Sequence, residues 1–263
     1  MGDSMEKFNY KKKYGQNFLN DNNITDKIVN SIDASNNDLI IEIGPGSGAL
    51  TKKLKKYGSH LIAFELDKET ERFLSKLEDD KTQVVYNDFL EADVNCYINK
   101  INYSKLHIIG NIPYYITTPI IKKIISLDAN ISEIILMVQK EVADRLSAKE
   151  RSREYGSLTV YIGSMYDVIK LIDVNKKYFT PEPKVDSTVI KLIPNGKYQI
   201  KNRENFELFL KNAFKFKRKT LKNNFNNYDL DKIQLILNKY NLSINNRAEE
   251  IPIKVFVDLY NNL

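Results

Sequence analysis

The sequence predicts an α/β fold in which a doubly wound parallel sheet is followed by a small all-α C-terminal domain. Three observations lead to this prediction. Apolar β-branched runs alternate with helical patterns up to about Pro194. The first of these runs leads into a glycine turn at residues 44–48 and then into a helical segment. After Pro194 the β-branched runs give way to helical spacing, which predicts the C-terminal domain.

The predicted elements follow the chain in order. Residues 24–32 fit a short helix. The strands of the sheet are expected at residues 39–43, 60–67, 82–93 and 105–115. Residues 132–148 are expected to form a strand that runs into a helix, and a late pair of strands within 167–194 encloses a proline-containing loop. The intervening helices are expected at residues 49–57, 68–80 and 118–128. The C-terminal helices are expected at residues 204–225, 230–240 and 252–263.

Length and composition restrict the class of protein. With 263 residues, of which 42% are hydrophobic, the chain can bury a large core. No run approaches the roughly 18 apolar residues of a membrane helix, and the N-terminus lacks the apolar segment of a signal peptide. We therefore expect a cytoplasmic protein. Cys96, His60 and His107 are too poor a ligand set for a metal site, so no metal is expected.

The charge balance favours a polyanionic partner. The chain has 40 Lys and Arg against 34 Asp and Glu, a net charge of +6. An AT-rich genome also enriches lysine, asparagine and isoleucine, so the positions of the charges are more informative than their total.

The glycine turn predicts a ligand close to the backbone. Gly44, Gly46 and Gly48 follow the first strand with the spacing G-x-G-x-G, and Glu42 lies two residues before the first glycine. This differs from the G-x-G-x-x-G of dinucleotide folds, and the absence of a lysine in the turn argues against a nucleoside triphosphate. A plain tight turn before a helix is the alternative interpretation.

Acidic residues at the ends of the next two predicted strands suit a nucleoside. Glu65 lies about 20 residues after the first glycine, where a carboxylate accepts hydrogen bonds from ribose hydroxyls. The carboxylate of Asp88 can accept from an adenine amino group. Their alternative role is that of strand-end acids facing solvent. The combination at three strand ends favours S-adenosylmethionine as the cofactor.

The tetrapeptide Asn111, Ile112, Pro113 and Tyr114 ends the fourth predicted strand. An exocyclic adenine amine is a poor nucleophile because its lone pair is delocalised into the ring. If the Asn111 side-chain oxygen and the Ile112 carbonyl each accept one N–H, the lone pair is localised toward a methyl donor. Pro113 stiffens the turn, and Tyr114 offers a face for the base. An Asn-Pro turn with core tyrosines is the alternative.

The sequence resembles a known family over nearly its whole length, the ribosomal RNA adenine N6-dimethyltransferases, and specifically the branch that modifies small-subunit 16S-type rRNA. The motifs that carry the resemblance are "KKKYGQNFLND", "IEIGPGSGALT", "FELD", "YNDFLEAD", "GNIPYYITTPII", "YGSLTV", "FTPEPKVDSTVI", "FKFKRKTLKNNF" and "RAEEIPIKVFVDL". The resemblance implies a Rossmann-like S-adenosylmethionine-dependent methyltransferase domain at residues 1–194. It also implies a small helical, rRNA-binding domain at residues 195–263.

The resemblance also implies a set of site residues. Its "GQNFL" motif, in the N-terminal segment 1–20, implies cofactor contacts from Gln16, Asn17 and Leu19, where the residues alone suggested only a basic tail. The remaining implied cofactor residues are Gly44, Gly46, Glu65, Asp88 and Asn111. Phe179 corresponds to an aromatic residue that packs on the target base; before two prolines, it is equally suited to anchoring a loop in the core.

Basic residues of the C-terminal domain are the expected RNA contacts, with phenylalanines between them. They are Lys215, Lys217, Arg218, Lys219 and Lys222. A solvated helix face is the alternative interpretation of such a run.

The implied reaction is the dimethylation of two adjacent adenosines in a hairpin loop near the 3′ end of small-subunit rRNA, as part of small-subunit biogenesis. The expected partner is that rRNA or an immature small ribosomal subunit, with no membrane involved, and the protein is expected to be a monomer. Two alternatives remain. One is dimethylation of 23S rRNA, which confers macrolide-type resistance, and the other is an RNA or ribosome assembly factor with subordinate catalysis.

Overall fold

A computed structural model describes residues 17–263 and divides the chain into two compact units. The first unit extends to Lys140 and includes Leu171–Lys191, and the second consists of Glu141–Lys170 and Leu192–Leu263. The domain boundary expected after Pro194 stays a prediction. Residues 141–170 and 192–194 group with the C-terminal residues in the second unit.

Within residues 17–263, nine strands form two sheets. The larger sheet has the order β4-β3-β2-β5-β6-β9-β7, and β1 pairs with β8. The strands are β1 (Phe18–Leu19), β2 (Leu39–Ile43), β3 (His60–Phe64), β4 (Thr82–Val85), β5 (Leu106–Asn111), β6 (Ile131–Gln139), β7 (Tyr166–Val174), β8 (Phe179–Thr180) and β9 (Ser187–Pro194). The pairings β4-β3, β3-β2, β2-β5 and β5-β6 are parallel, which confirms the predicted sheet.

Helices follow most of these strands. They are α1 (Asn22–Asn30), α2 (Ala49–Leu54), α3 (Glu71–Leu74), α4 (Val94–Ile98), α5 (Thr117–Ile125), α6 (Lys140–Leu146), α7 (Ser157–Gly163), α8 (Arg203–Ala213), α9 (Leu221–Asn224), α10 (Leu230–Asn238) and α11 (Ile253–Asn262). The predicted third strand, residues 82–93, is shorter than expected and ends at Val85. Of the predicted helix 68–80 only α3 is α-helical, between two 3-10 turns.

The predicted helix at residues 204–225 is confirmed over α8 and α9 but is wrong for residues 214–220, which form a loop between them. The cause is Asn224, which is 7% exposed. Its Nδ2 donates to the Ala213 carbonyl at 2.8 Å, and the Phe216 N–H donates to its Oδ1 at 3.1 Å. Aromatic contacts pack the core of the second unit. Phe209, for example, stacks on Phe225 with ring centroids 4.9 Å apart.

The core of the first unit surrounds the central strands. Every residue of β2 is buried, as is β5 up to Gly110, so these mainly apolar strands are buried continuously rather than on alternate residues. This is the pattern of a parallel strand covered on both faces.

A buried charged cluster lies at the amino-terminal end of this sheet. His107, in β5, is 1% exposed, and its Nδ1 lies 2.8 Å from Glu133 Oε1 in β6. Its Nε2 lies 3.4 Å from Asp38 Oδ2, just before β2, and the Lys191 ammonium of β9 contacts Glu133 Oε2. Burial opposes ionisation of Glu133, but hydrogen bonds from His107 and Lys191 outweigh it and hold its pKa at about 2.

We expect Glu133→Gln to lower the free energy of unfolding by about 3–5 kcal/mol at pH 7, because Lys191 and His107 lose their buried partner. Since the folded-state pKa lies below its ordinary value of 4.5, the stabilisation is present above pH 4.5 and is lost as the pH falls toward 2. Urea unfolding at several pH values measures both effects. Glu91→Gln, an exposed acid, is the control, and equal stabilities of the two variants would contradict the role of the cluster.

Candidate active site

A cavity of about 240 Å³ opens at the carboxyl ends of the parallel strands. Its walls come from residues that follow β2, β3, β4 and β5, together with residues 17–19. In a parallel sheet all strands point the same way, so their carboxyl ends meet at one edge. The sheet order β4-β3-β2-β5 therefore places these segments side by side.

The glycine turn after β2 forms one wall, and its backbone requires glycine. Gly44, Gly46 and Gly48 have φ angles of 71°, 56° and 80°, in the left-handed region. A Cβ on Gly46 would lie 2.5 Å from the Phe18 ring, and one on Gly48 would lie 2.6 Å from Leu77. The turn therefore depends on glycine at these positions, and Gly44 and Gly46 line the cavity.

Glu65 is joined directly to that turn. It is 5% exposed, and it accepts hydrogen bonds from the Gly46 N–H at 2.9 Å and from the Asp67 N–H at 2.8 Å. Burial raises the pKa of its carboxyl group, although these backbone donors counteract the effect. Each carboxylate oxygen keeps lone-pair capacity at the cavity wall, which suits a pair of hydroxyl donors.

Glu42 lies behind the turn, in β2. It is 1% exposed, and neither carboxylate oxygen has a hydrogen-bond partner within the part of the chain that the structure describes. Burial, reinforced by the negative charge of Glu65, raises the pKa of Glu42 to about 8. Glu42 is therefore protonated and neutral at neutral pH.

Asp88 forms the far end of the cavity, three residues after β4. Its Oδ1 accepts the Leu90 N–H at 2.9 Å, which fixes the side chain in a turn. Leu66, 44% exposed, and Phe89 provide apolar walls at the same end. The sequence did not indicate these two, although Leu66 directly follows Glu65. Carboxylate and apolar walls together suit a flat heterocycle with an exocyclic amine.

Asn111, the last residue of β5, lies at the opposite end of the cavity. Its Nδ2 donates to the Asn17 carbonyl at 3.0 Å, so its Oδ1 is left as the acceptor. Pro113 has φ −59° and its carbonyl accepts the Ile116 N–H at 3.2 Å, which closes a turn immediately after Asn111. The Asn111 side chain is thereby held by the Asn17 carbonyl and is followed directly by a closed turn.

Two tyrosines follow in this turn. Tyr114 is partly buried, and its hydroxyl lies 2.7 Å from Ser187 Oγ, which fixes the ring. Tyr115 is 65% exposed at the cavity wall, and the sequence analysis had not singled it out. The sequence feature that could have indicated Tyr115 is the adjacent aromatic pair in "NIPYY".

Phe179 lies in the core rather than at the cavity. It is 3% exposed and belongs to the apolar cluster that includes Leu19 and Val174. The cause is the antiparallel pairing of β8 with β1, in which Leu19 faces Phe179. Phe179 is thus placed as a loop anchor would be, and its packing on a base stays a prediction.

The structure brings most of the predicted site residues together. Those that line the cavity are Asn17, Leu19, Gly44, Gly46, Glu65, Asp88, Asn111, Ile112, Pro113 and Tyr114. Gln16 lies outside the described residues. The predicted RNA contacts are all exposed side chains of the second unit, namely Lys215, Lys217, Arg218, Lys219 and Lys222.

Within residues 17–263, no helix is long and apolar enough to cross a membrane. The same residues contain no group of three or more His, Cys, Asp and Glu side chains arranged to hold a metal ion.

We expect Glu42→Gln to raise the free energy of unfolding at pH 8 by several kcal/mol, on the order of 3–5. The folded-state pKa of about 8 lies above the ordinary 4.5, so wild-type stability falls as the pH rises from about 4.5 to about 8. The amide does not ionise, so the variant lacks this fall. Chemical denaturation at pH 5 and pH 8 measures the difference, and parallel pH profiles for the two proteins would contradict a neutral buried Glu42.

Comparison with known proteins assigns the chain to a family. Residues 7–263 match the family model described as "Ribosomal RNA adenine dimethylase". A protein of Mycoplasma mobile named "Ribosomal RNA small subunit methyltransferase A" is 40% identical over 257 residues, which cover 97% of this chain and 98% of the relative. A protein of the same name from Fusobacterium nucleatum is 41% identical over 260 residues, which cover 96% of this chain and 97% of the relative.

Solved structures of known proteins are also similar to this chain. A dimethyladenosine transferase from Plasmodium falciparum has a TM-score of 0.79 at 26% identity, covering 92% of this chain and 95% of that one. The 23S rRNA methyltransferase ErmE has a TM-score of 0.70 at 22% identity, covering 94% of this chain and 99% of that one, which shows a shared fold alone. The predicted α/β methyltransferase fold is confirmed, and the chain belongs to the ribosomal RNA adenine dimethylase family.

Proposed function

We propose that this protein uses S-adenosylmethionine to dimethylate N6 of two adjacent adenosines in the 3′-terminal hairpin loop of small-subunit rRNA, during small-subunit biogenesis. Membership of the adenine dimethylase family supports the reaction, and relatives at about 40% identity carry a small-subunit name. The observation that carries the proposal is the Asn111 carboxamide, whose Oδ1 is left as an acceptor at the cavity formed by the glycine turn.

The cavity suits the methyl donor because its polar groups match a nucleoside. Glu65 accepts from ribose hydroxyls and Asp88 accepts from the adenine amine, while Gly44 and Gly46 let the ligand approach the backbone. Asn17 and Leu19 complete the wall beside Phe18. When bound, S-adenosylmethionine supplies an electrophilic methyl group on a sulfonium centre.

Activation of the acceptor amine rests on two oxygens of the turn. Asn111 Oδ1 accepts one N–H of the adenine amine, and the Ile112 carbonyl accepts the other. These hydrogen bonds draw the nitrogen toward tetrahedral geometry and localise its lone pair. Pro113 restricts the backbone directly after the Ile112 carbonyl, since its ring fixes φ.

Aromatic side chains at the same turn bind the base. Tyr114 offers a ring fixed by its hydrogen bond to Ser187, as expected for stacking on a base that has left its helix. Tyr115 adds a second, exposed ring at the cavity wall. We assign to Tyr114 and Tyr115 the packing role first considered for Phe179.

The exposed cations of the second unit bind the rRNA backbone. None of the five makes an ion pair within the described residues, so their charges are available to phosphate groups. We further propose that the protein acts as a monomer in the cytoplasm, on small-subunit rRNA or an immature small subunit. The large-subunit alternative has only fold similarity in its favour, at 22% identity.

Incubation with labelled donor and small subunits that lack the modification tests the proposal. We expect mass mapping to find four methyl groups on two adjacent adenosines near the 3′ end of the small-subunit rRNA. Asn111→Ala should lower the rate at least about 100-fold, because the oriented acceptor is lost, with RNA affinity retained. Asn99→Ala, an exposed asparagine of the same unit, is the control. Label in large-subunit rRNA, or full activity of Asn111→Ala, would overturn the proposal.

Donor binding is tested separately. We expect Glu65→Ala to weaken binding of labelled S-adenosylmethionine about 10- to 100-fold in equilibrium dialysis, since hydrogen bonds to a charged acceptor are lost. Circular dichroism melting verifies that the variant is folded, because Glu65 also holds the Gly46 N–H. Glu91→Ala is the matched control. Undiminished binding by Glu65→Ala would refute the ribose assignment.

A further inference from the structure

A second cavity, of about 330 Å³, lies within the second unit, where the loop and α9 connect α8 with α10. Its volume lies at the lower end of the roughly 300–1,000 Å³ typical of small-ligand sites. Its walls are unusually rich in carboxamides and include a lysine and two aromatic rings. They are Asn212, Asn223, Asn224, Asn226, Asn227, Lys215, Phe216 and Tyr228.

We infer that this asparagine-lined cavity binds one unpaired nucleotide of the RNA substrate. The carboxamides bond the edge of the base, the Phe216 ring stacks on its face, and the neighbouring cations contact the flanking phosphates. The inference rests on the proposed function, since it concerns how the same RNA is held away from the methyl-transfer site.

The cavity is a built site rather than a chance hollow between side chains. Asn224, 7% exposed, binds the loop at three points: Nδ2 donates to the Ala213 and Phe216 carbonyls, and Oδ1 accepts the Phe216 N–H. On the other side, Asn212 Nδ2 donates to the Tyr228 hydroxyl at 3.1 Å. The loop that carries Phe216 is thus fixed before any ligand binds, which lowers the entropic cost of binding.

Two carboxamides remain free to recognise a ligand. Asn226 and Asn227 are exposed, and their side chains make no hydrogen bond within residues 17–263. A carboxamide offers both a donor and an acceptor, as does the edge of an unpaired base. In a paired base that edge is occupied, so the site should select unpaired RNA.

Phe216 is the aromatic residue that the unit leaves in solvent. Its ring is 52% exposed, while Phe206, Phe209, Phe225 and Phe256 are each at most 3% exposed. Lys215 Nζ lies 5.4 Å from the ring centroid, so a cation accompanies the exposed face. An aromatic face beside a positive charge is how proteins bind single-stranded nucleic acid without relying on sequence.

The charge around the cavity suits a polyanion. Residues 211–228 contain six Lys and Arg and no Asp or Glu, and among the described residues Lys211 alone of the six is paired, with Glu207 at 2.7 Å. An acidic peptide would satisfy these charges but would make no use of the carboxamides or the exposed ring. A nucleotide of an RNA strand can contact the positive charges, the carboxamides and the exposed aromatic ring.

Fluorescence anisotropy with the full-length protein tests the inference. The probes are a labelled RNA hairpin with an unpaired loop and a fully paired RNA duplex of the same length. We expect Phe216→Ala to weaken hairpin binding about 5- to 100-fold, the effect of losing one base–aromatic stack. Asn226→Ala and Asn227→Ala should each weaken it several-fold, and duplex affinity should change less than about 2-fold in all three.

Matched controls come from the same unit. Leu235→Ala removes another exposed apolar side chain, 67% exposed, and Asn245→Ala removes another exposed asparagine. Both should bind the hairpin as the wild type does. Unchanged hairpin binding by Phe216→Ala and both asparagine variants would overturn the inference, as would an equal loss for hairpin and duplex.

Two further probes test whether the cavity binds a ligand other than RNA. Adenosine monophosphate that displaces the hairpin at micromolar concentration would assign the cavity to free nucleotides, and poly-glutamate that distinguishes wild type from Asn226→Ala would assign it to an acidic protein. Either result overturns the inference. If the hairpin-binding test fails while the rRNA is methylated normally, the proposed function is unaffected. If methylation is lost while binding still depends on the unpaired loop, only the proposed function is refuted.

Discussion

The parallel register of β3, β2 and β5 is the constraint on which the candidate active site depends. Ile43 aligns with Phe64 on one side and with Gly110 on the other, so the three strands end level with one another. The backbones approach closely there: a Cβ on Gly110 would lie 2.7 Å from the Ile43 carbonyl. Because the ends are level, Glu65, directly after β3, and Asn111, the last residue of β5, line one cavity on either side of β2, although 46 positions separate them in the sequence.

That constraint explains why so much of the site could be predicted from the sequence. Each of the main site residues belongs to a strand end that is recognisable from local sequence pattern. They are Gly44 in the turn, the acids Glu65 and Asp88, and Asn111 with its carboxamide. A parallel sheet then assembles them without further information, since all its carboxyl ends lie at one edge. Asn17 and Leu19 lacked such a signal, because their place depends on β1, and only the resemblance to the family indicated them.

What the sequence could not supply depends on contacts between distant segments. The pairing of β1 with β8 joins residues 160 positions apart and buries Phe179, which local pattern left open between core and base. The hydrogen bond from Tyr114 to Ser187 spans 73 positions. The loop that interrupts the predicted helix 204–225 depends on Asn224, whose carboxamide binds the main chain 8 and 11 positions earlier. Within a helical sequence pattern, an asparagine indicates only a lower helix propensity and does not predict a loop.

The protonation of the two buried acids fits a reaction that needs orientation more than a base. Glu65 binds two backbone N–H groups, whereas the carboxyl group of Glu42 has no hydrogen-bond partner within residues 17–263 and burial raises its pKa to about 8. A second carboxylate there would stabilise a cationic donor before transfer more than during it, since attack by a neutral amine disperses the positive charge. A neutral Glu42 avoids that cost, and the alkylated amine loses its proton to water. The chain therefore contributes chiefly the fixed positions of Asn111 and the turn that follows it.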